Sequence, residues 1–137
     1  MRRSLLLLLG LVAAGVSFSS GSNSTAAELQ RVIPERFRGE WQDSRHPCGS
    51  PINMETRLLL QAGTVTFYES GGPAVAVVTS GTSELALITA LAGEGQTWLD
   101  LRRFLLSADQ STLTDVTHAG GPDQDKPFVR KRCPPQR

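Results

Sequence analysis

Hydrophobic and polar residues alternate along most of this chain, in short runs that glycine, proline and small polar residues interrupt at even spacing. Alternation with a period of two is typical of β-strands, and no stretch shows the spacing of an amphipathic helix. The short connections indicate an antiparallel meander, which hides its edges best by closing on itself. We therefore expect an all-β fold, a small eight-stranded up-and-down barrel rather than an open sandwich. The predicted strands are 36–42, 56–61, 64–70, 74–79, 83–92, 96–107, 111–118 and 127–133.

The second and third predicted strands can be placed in register, because residues 62–63 fit a two-residue turn. With that turn, Leu60 lies opposite Val65, and Phe67 points to the same, apolar side. Glu69 follows Phe67 on this face at the end of the strand. The register therefore predicts a carboxylate that points into the mouth of the barrel.

A carboxylate that points inward must be solvated by water at the mouth of the barrel or paired with a cation. The candidate partners of Glu69 are Arg102, Arg103 and Arg130. One interpretation is a polar anchor for a ligand at the mouth. The other is an internal ion pair that closes the end of the barrel, and this is the interpretation we favour.

Three aromatic residues are candidates for either the core or a pocket. Phe37 and Trp41 lie on one face of the first predicted strand, with Gly39 between them where another group can come close. Trp98 follows a Gly-Glu-Gly turn, and both faces of its strand mix apolar with charged residues. The alternation of side chains therefore does not decide which face of that strand points inward.

The N-terminal segment has the three parts of a secretory signal peptide: Arg2 and Arg3, an apolar run at 5–16, and a polar tract. The apolar run is too short to span a bilayer. Small residues at 24–26 fit a cleavage site, and we expect an exported, periplasmic or secreted protein without a membrane span. The predicted divisions are a signal peptide at 1–26, a lead-in at 27–35, a barrel domain at 36–134 and a tail at 135–137.

Charge excludes some classes of partner. The leader contains two of the 14 basic residues, which leaves 12 against 13 acidic residues in the exported part. A nearly neutral protein gives no electrostatic reason to bind nucleic acid or an anionic membrane. We expect a monomeric protein of one small domain.

Two cysteines, Cys48 and Cys133, are present in a chain that enters an oxidising compartment. No third thiol competes with them, and no second His/Cys pair lies at metal-ligand spacing. The sequence therefore predicts a Cys48–Cys133 disulfide rather than a metal site or a reactive thiol.

No catalytic or cofactor motif stands out. No serine lies in a Gly-x-Ser-x-Gly motif, the sharp strand-to-helix turn that activates a hydroxyl. The glycine pairs lack the strand–loop–helix pattern and the lysine of a phosphate-binding loop. Glu69 and Glu94 could act as a carboxylate pair, but nothing in the sequence brings them together. We expect no metal and no cofactor, and an enzyme is unsupported.

Four motifs occur in order along the exported part: Ile-Pro-x-x-Phe-x-Gly-x-Trp at 33–41, Phe-Tyr-Glu-Ser-Gly-Gly at 67–72, Gly-Glu-Gly-x-Thr-Trp at 93–98, and Arg-Cys-Pro at 132–134. In these motifs the chain resembles a group of small exported bacterial proteins of unassigned function. This resemblance implies an exported domain and no particular activity.

The Gly-x-Trp of the first strand also resembles the pattern of lipocalins and other calycins. That resemblance implies a basic residue of the last strand packed over Trp41, and Arg130 is the matching position. The plan is similar to that of bacterial periplasmic metalloprotease inhibitors, which are small barrels with one disulfide. Any function taken from these likenesses is an analogy.

We expect a non-catalytic barrel that binds a macromolecular partner, such as an inhibitor of an envelope-directed hydrolase. Its contacts would come from the loops at 43–53, 70–73 and 120–126. The alternative is a carrier of a small apolar ligand, with Trp41, Trp98 and Glu69 at its pocket. A filled interior favours the first function, and an open cavity lined by those three residues favours the second.

Overall fold

The computed structural model describes residues 30–49, 51–117 and 127–135. These residues form eight β-strands and two 3₁₀ turns, and no α-helix is present among them. The 3₁₀ turns, Glu35–Phe37 and Met54–Thr56, precede the first and second strands. The strands are β1 (Gly39–Asp43), β2 (Leu58–Leu60), β3 (Thr64–Phe67), β4 (Ser70–Ser80), β5 (Glu84–Gly93), β6 (Gln96–Leu106), β7 (Thr112–Asp115) and β8 (Phe128–Arg132).

Each strand pairs antiparallel with the next, and β1 pairs with β8 to close the barrel. The predicted fold, an all-β, eight-stranded antiparallel up-and-down barrel, is confirmed. The predicted hairpin register is also confirmed, because Leu60 lies opposite Val65. Both side chains are buried.

The predicted disulfide is confirmed. Cys48 and Cys133 are bonded, with their Cα atoms 5.5 Å apart. The backbone N–H of Cys133 donates to the carbonyl of Glu40 on β1 at 2.8 Å. The bridge therefore ties the segment after β1 to the seam where the barrel closes.

Hydrophobic side chains fill the end of the barrel at which the chain enters, which we call the closed end. Ile33 and Phe37 are fully buried there, and the N–H of Ile33 donates to the carbonyl of Ala62 in the β2–β3 turn at 2.8 Å. The opposite end, where the β3–β4 and β5–β6 turns lie, is called the mouth. The other fully buried large side chains include Trp41, Leu58, Leu60, Leu85, Leu87, Phe104 and Leu113.

Most strand boundaries differ from the predicted ones by one to four residues, and at two places local backbone constraints override the alternation. Phe37 belongs to a 3₁₀ turn instead of the first strand, although its ring still enters the core. β4 begins at Ser70 and runs through the glycines expected to form a turn. A Cβ on Gly72 would lie 1.9 Å from the carbonyl oxygen of Ala90 on β5, so glycine is needed inside this strand.

The predicted signal peptide, residues 1–26, and the expected contact loop at 120–126 lie outside the described residues. Among the residues that are described, no helix is long and apolar enough to cross a membrane.

Candidate functional site

Glu69 lies in a turn, and the prediction that it points into the barrel is wrong. β3 ends at Phe67, which pairs with Ser70, so Tyr68 and Glu69 form the two-residue turn to β4. The backbone of Glu69 is left-handed, with a φ of 55°, and its side chain is exposed. Side chains stop alternating where a strand turns, and the register therefore did not extend to this residue.

The three arginines proposed as partners of Glu69 have different positions. Arg103 points outward and pairs with Glu84 on β5 at 2.6 Å. Arg102 and Arg130 lie on the inner side of the barrel. No ion pair joins Glu69 to any of the three in the part of the chain that the structure describes.

Arg102 lies inside the mouth between two aspartates. Its Nε is 2.8 Å from Oδ2 of Asp100, and its Nη1 is 3.2 Å from Oδ2 of Asp115. The guanidinium also lies over the ring of Phe67, with 5.1 Å between Cζ and the ring centroid. Burial lowers the pKa of Arg102, but the hydrogen bonds and charges of the two aspartates raise it by more. This ion-paired cluster occupies the lumen near the mouth.

Arg130 is buried with only 8% of its surface exposed, and it has no ion-pair partner among residues 30–49, 51–117 and 127–135. Its Nε donates to the carbonyl of Thr56 at 3.3 Å, and its guanidinium lies 4.3 Å from the ring centroid of Phe128. Desolvation lowers the pKa of Arg130 to about 10. Neither its Nη1 nor the fully buried Oγ1 of Thr89 has a hydrogen-bond partner within the described part of the chain.

Asp43, at the end of β1, is almost fully buried and holds the loop that follows it. Its carboxylate accepts hydrogen bonds from the side chain of Arg45 at 2.7 and 3.1 Å and from the Arg45 backbone N–H at 2.9 Å. The hydrogen bonds from Arg45 place the pKa of Asp43 far below its usual range. His46 Nδ1 lies 3.5 Å from the same carboxylate.

A cleft of about 460 Å³ lies at the rim of the mouth, between the β3–β4 and β5–β6 turns. We call it the rim cleft. Tyr68 and Trp98 line it, with 46% and 41% of their surfaces exposed. Its other lining residues are Glu69, Ser70, Gly93, Glu94 and Gln96.

The rim cleft brings together residues that the sequence analysis considered separately. Glu69 and Glu94 both line it, each from a two-residue turn and each with a left-handed backbone. Both carboxylates are exposed, and no ion pair involves either of them in the described ranges. The neighbouring Glu69 carboxylate, through hydrogen bonding first and through its negative charge second, raises the pKa of the Tyr68 hydroxyl. The sequence contains a signal for this cleft, because alternate turns of an antiparallel meander lie at the same end of the barrel, which brings the β3–β4 and β5–β6 turns together.

Trp41 is fully buried at the closed end and does not reach the rim cleft. Its indole N–H donates to the carbonyl of Phe37 at 2.9 Å. The basic side chain over its ring is Arg132, at 4.2 Å from the centroid, and the expectation of Arg130 is wrong. Trp41 lies opposite Arg132 in the β1–β8 ladder, while Arg130 lies opposite Asp43, two residues nearer the mouth.

A second, outer groove of about 660 Å³ lies beside the disulfide, against β1 and β2. Met54, Arg57, Glu40 and Pro134 are among the residues that line it. Arg57 already pairs with Glu40 at 3.1 Å across its floor. A charged ligand would have to replace that pair, which makes this groove a weaker candidate than the rim cleft.

No group of three or more His, Cys, Asp or Glu side chains that could hold a metal ion occurs within the described ranges. The comparisons with known proteins add no family. No protein-family model, curated protein or solved structure matches this chain. The assignment of the candidate site therefore rests on the geometry of its residues alone.

Proposed function

We propose that this chain is an exported, non-catalytic β-barrel that binds a protein partner through the rim cleft. The observation that carries the proposal is the presence of two exposed aromatic rings and two exposed carboxylates in one cleft of about 460 Å³. Tyrosine and tryptophan are enriched among the residues that dominate the energy of protein interfaces. Trp98 and Tyr68 are therefore the expected anchors of the contact.

The interior favours a macromolecular partner over a small apolar ligand. Trp41 is fully buried, and Arg102 reaches across the lumen to Phe67. The carrier alternative needs Trp41, Trp98 and Glu69 around one cavity, and Trp41 does not line the rim cleft. A ligand inside the barrel would have to displace the ion pairs of Arg102.

The charge of the rim cleft indicates the chemistry of the partner. Glu69 and Glu94 carry two negative charges that no described cation neutralises, while the rings of Tyr68 and Trp98 offer faces to a cation. A lysine or arginine side chain of a protein satisfies both features. In its most specific form, the proposal is that this contact inhibits an envelope-directed hydrolase.

Catalysis by the two carboxylates is the competing use of the same cleft. Acid–base carboxylates are usually tuned by burial or by a close like charge. Glu69 and Glu94 are both exposed and receive no such burial. The cleft therefore supports binding better than hydrolysis.

The proposal can be tested by affinity capture from a periplasmic extract on the immobilised exported protein. We expect the wild-type protein to retain a partner that elutes with salt, and Glu69→Gln/Glu94→Gln to lose most of it. Glu84→Gln is the control, because Glu84 pairs with Arg103 away from the cleft. Retention that is equal for the wild type and the double variant would contradict the proposal, as would a small molecule extracted from the barrel in place of a retained protein.

Hydrolase assays on the captured fraction test the inhibitor form separately. We expect added wild-type protein to lower the hydrolase activity of that fraction and the double variant to leave it unchanged. A captured protein whose activity does not change would contradict inhibition and leave binding supported.

A further inference from the structure

We propose that the outer groove beside the disulfide binds a small apolar carboxylate, with its carboxylate on Arg38 and its apolar body along the groove. The groove has a volume of about 660 Å³, which is within the range of small-molecule sites. It shares no lining residue with the rim cleft. The proposal therefore concerns a second site and does not depend on the proposed function.

Segments that are far apart in sequence form the groove. Glu40 on β1 and Leu59 on β2 lie opposite each other in the ladder and form its floor. The segment between β1 and β2 contributes Met54, and the segment after β8 contributes Pro134. The disulfide joins these last two segments, so the groove is a fixed part of the fold.

Apolar side chains offer a surface to the body of the ligand. Met54 is 47% exposed, and Leu59 is half-buried. An apolar body that covers them removes apolar surface of the ligand and of the protein from water. A wholly polar ligand would lose hydration against the same side chains without compensation. The apolar residues of the lining are Ile52, Met54, Leu59, Pro134 and Pro135.

The two charges on the floor neutralise each other. Arg57 donates to Oε2 of Glu40 at 3.1 Å, and the side chains of these two residues are only 23% and 12% exposed. The other carboxylate oxygen of Glu40 is buried and is not open to a ligand. A ligand charge placed on the floor would have to break this pair, but a charge placed at Arg38 would not.

Arg38, which lies just before β1, determines the charge of the ligand. Its Nε donates to the carbonyl of Ile33 at 2.7 Å, which orients the guanidinium and leaves its two Nη groups for a ligand. No ion pair involves Arg38 in the ranges that the structure describes. A planar guanidinium binds a carboxylate through two parallel hydrogen bonds. Arg38 is therefore suited to hold the head of an anionic ligand.

The charge balance of the groove excludes other small ligands. Three arginines and one glutamate line it, so an apolar cation would be repelled. A dicarboxylate would place its second charge against apolar side chains or against Glu40. One negative head with an apolar body satisfies both Arg38 and the apolar lining.

Met54 provides a probe of the groove, because it is the only methionine of the chain besides Met1. In the exported protein labelled with ¹³C-methyl methionine, we expect octanoate to shift the Met54 methyl resonance to saturation. At the same concentration, 1-octanol and octylammonium should shift it much less. These three probes are compared on the wild-type protein, so the comparison does not depend on the folding of a variant.

A substitution tests the role of Arg38. Arg38→Gln should weaken octanoate binding at least about ten-fold, because it removes the charge-assisted hydrogen bonds to the carboxylate. Arg31→Gln is the matched control, since Arg31 is exposed and does not line the groove. It should bind octanoate as the wild type does. Circular dichroism checks that both variants remain folded.

A Met54 resonance that octanoate leaves in place would overturn the proposal, and so would equal shifts by octanoate and either of the other two probes. Octanoate binding that Arg38→Gln leaves intact would overturn it as well. A resonance that moves with protein concentration alone would assign the groove to a second copy of the chain. A response that requires removal of residues 136–137 would assign it to the chain's own tail, and either assignment replaces the proposal. Glu69→Gln/Glu94→Gln should bind octanoate normally, so this result is independent of partner capture.

Discussion

The guanidinium of Arg132 lies over the indole ring of Trp41, with 4.2 Å between Cζ and the ring centroid. The same guanidinium donates hydrogen bonds to the carbonyl of Arg36, within the 3₁₀ turn before β1, and to that of Arg38, which follows the turn. A third hydrogen bond runs from its Nε to the carbonyl of Gln110 at 2.9 Å. One side chain of the last strand therefore joins the entry segment, the first strand and the β6–β7 turn.

Arg132→Lys should destabilise the barrel although it preserves the charge. A lysine ammonium cannot reproduce the planar fork that stacks on Trp41 and reaches carbonyls on either side. We expect the free energy of unfolding to fall by about 1–2 kcal/mol in denaturant titrations. Lys131→Ala, on the neighbouring outward position, should change it by less than about 0.5 kcal/mol. Equal effects of the two substitutions would show that Arg132 has no special role.

Reduction of the Cys48–Cys133 bond should lower the stability substantially. The bond closes a loop with a sequence separation of 85 residues, for which the chain-entropy model gives roughly 4 kcal/mol. Chemical denaturation with and without a reductant measures this difference, and the Cys48→Ser/Cys133→Ser variant should not respond to the reductant. Thiol titration of the unfolded, unreduced protein should find no free thiol. Two titratable thiols would show that the bond does not form in the exported protein.

Stability should fall in acid partly through Asp43. Its pKa is lower in the folded protein than in the unfolded chain, where it is about 4, because the folded state presents Arg45 to the carboxylate. The stabilisation is therefore complete above that unfolded value and is lost as pH falls towards the folded value. Asp43→Asn should cost about 1 kcal/mol at neutral pH and progressively less below about pH 4. A pH-independent difference between the two proteins would contradict the assignment to this carboxylate.

The two inward arginines should respond differently to the same substitution. Arg102→Met leaves Asp100 and Asp115 without their cation, and we expect a loss of about 3 kcal/mol. Arg130→Met removes a desolvated charge that has no ion-pair partner in the described structure, and we expect a change within about 1 kcal/mol. Thermal unfolding of both variants measures the contrast. A larger loss for Arg130→Met than for Arg102→Met would reverse this interpretation of the lumen.

Much of the fold followed from the sequence because it depends on local pattern. Alternation predicted eight strands, and the turn at 62–63 predicted the pairing of Leu60 with Val65. The expected oxidising compartment and the presence of only two cysteines predicted the disulfide. The leader, the export and the partner stay predictions. The strands and the hairpin are local features, and with only two cysteines in the chain the disulfide required no choice of partner.

Tertiary structure decided the rest, and in each case the reason was a contact between strands far apart in sequence. Gly72 is typical of a turn, but it lies inside β4, where glycine is required because the backbone of β5 leaves no room for a Cβ. Because β4 begins at Ser70, Glu69 lies in a turn instead of the lumen, and it lines the rim cleft together with Glu94. The β1–β8 register likewise placed Arg132, rather than Arg130, over Trp41. Alternation determines which residues share a face of one strand, but barrel closure and strand stagger determine which faces meet across the lumen.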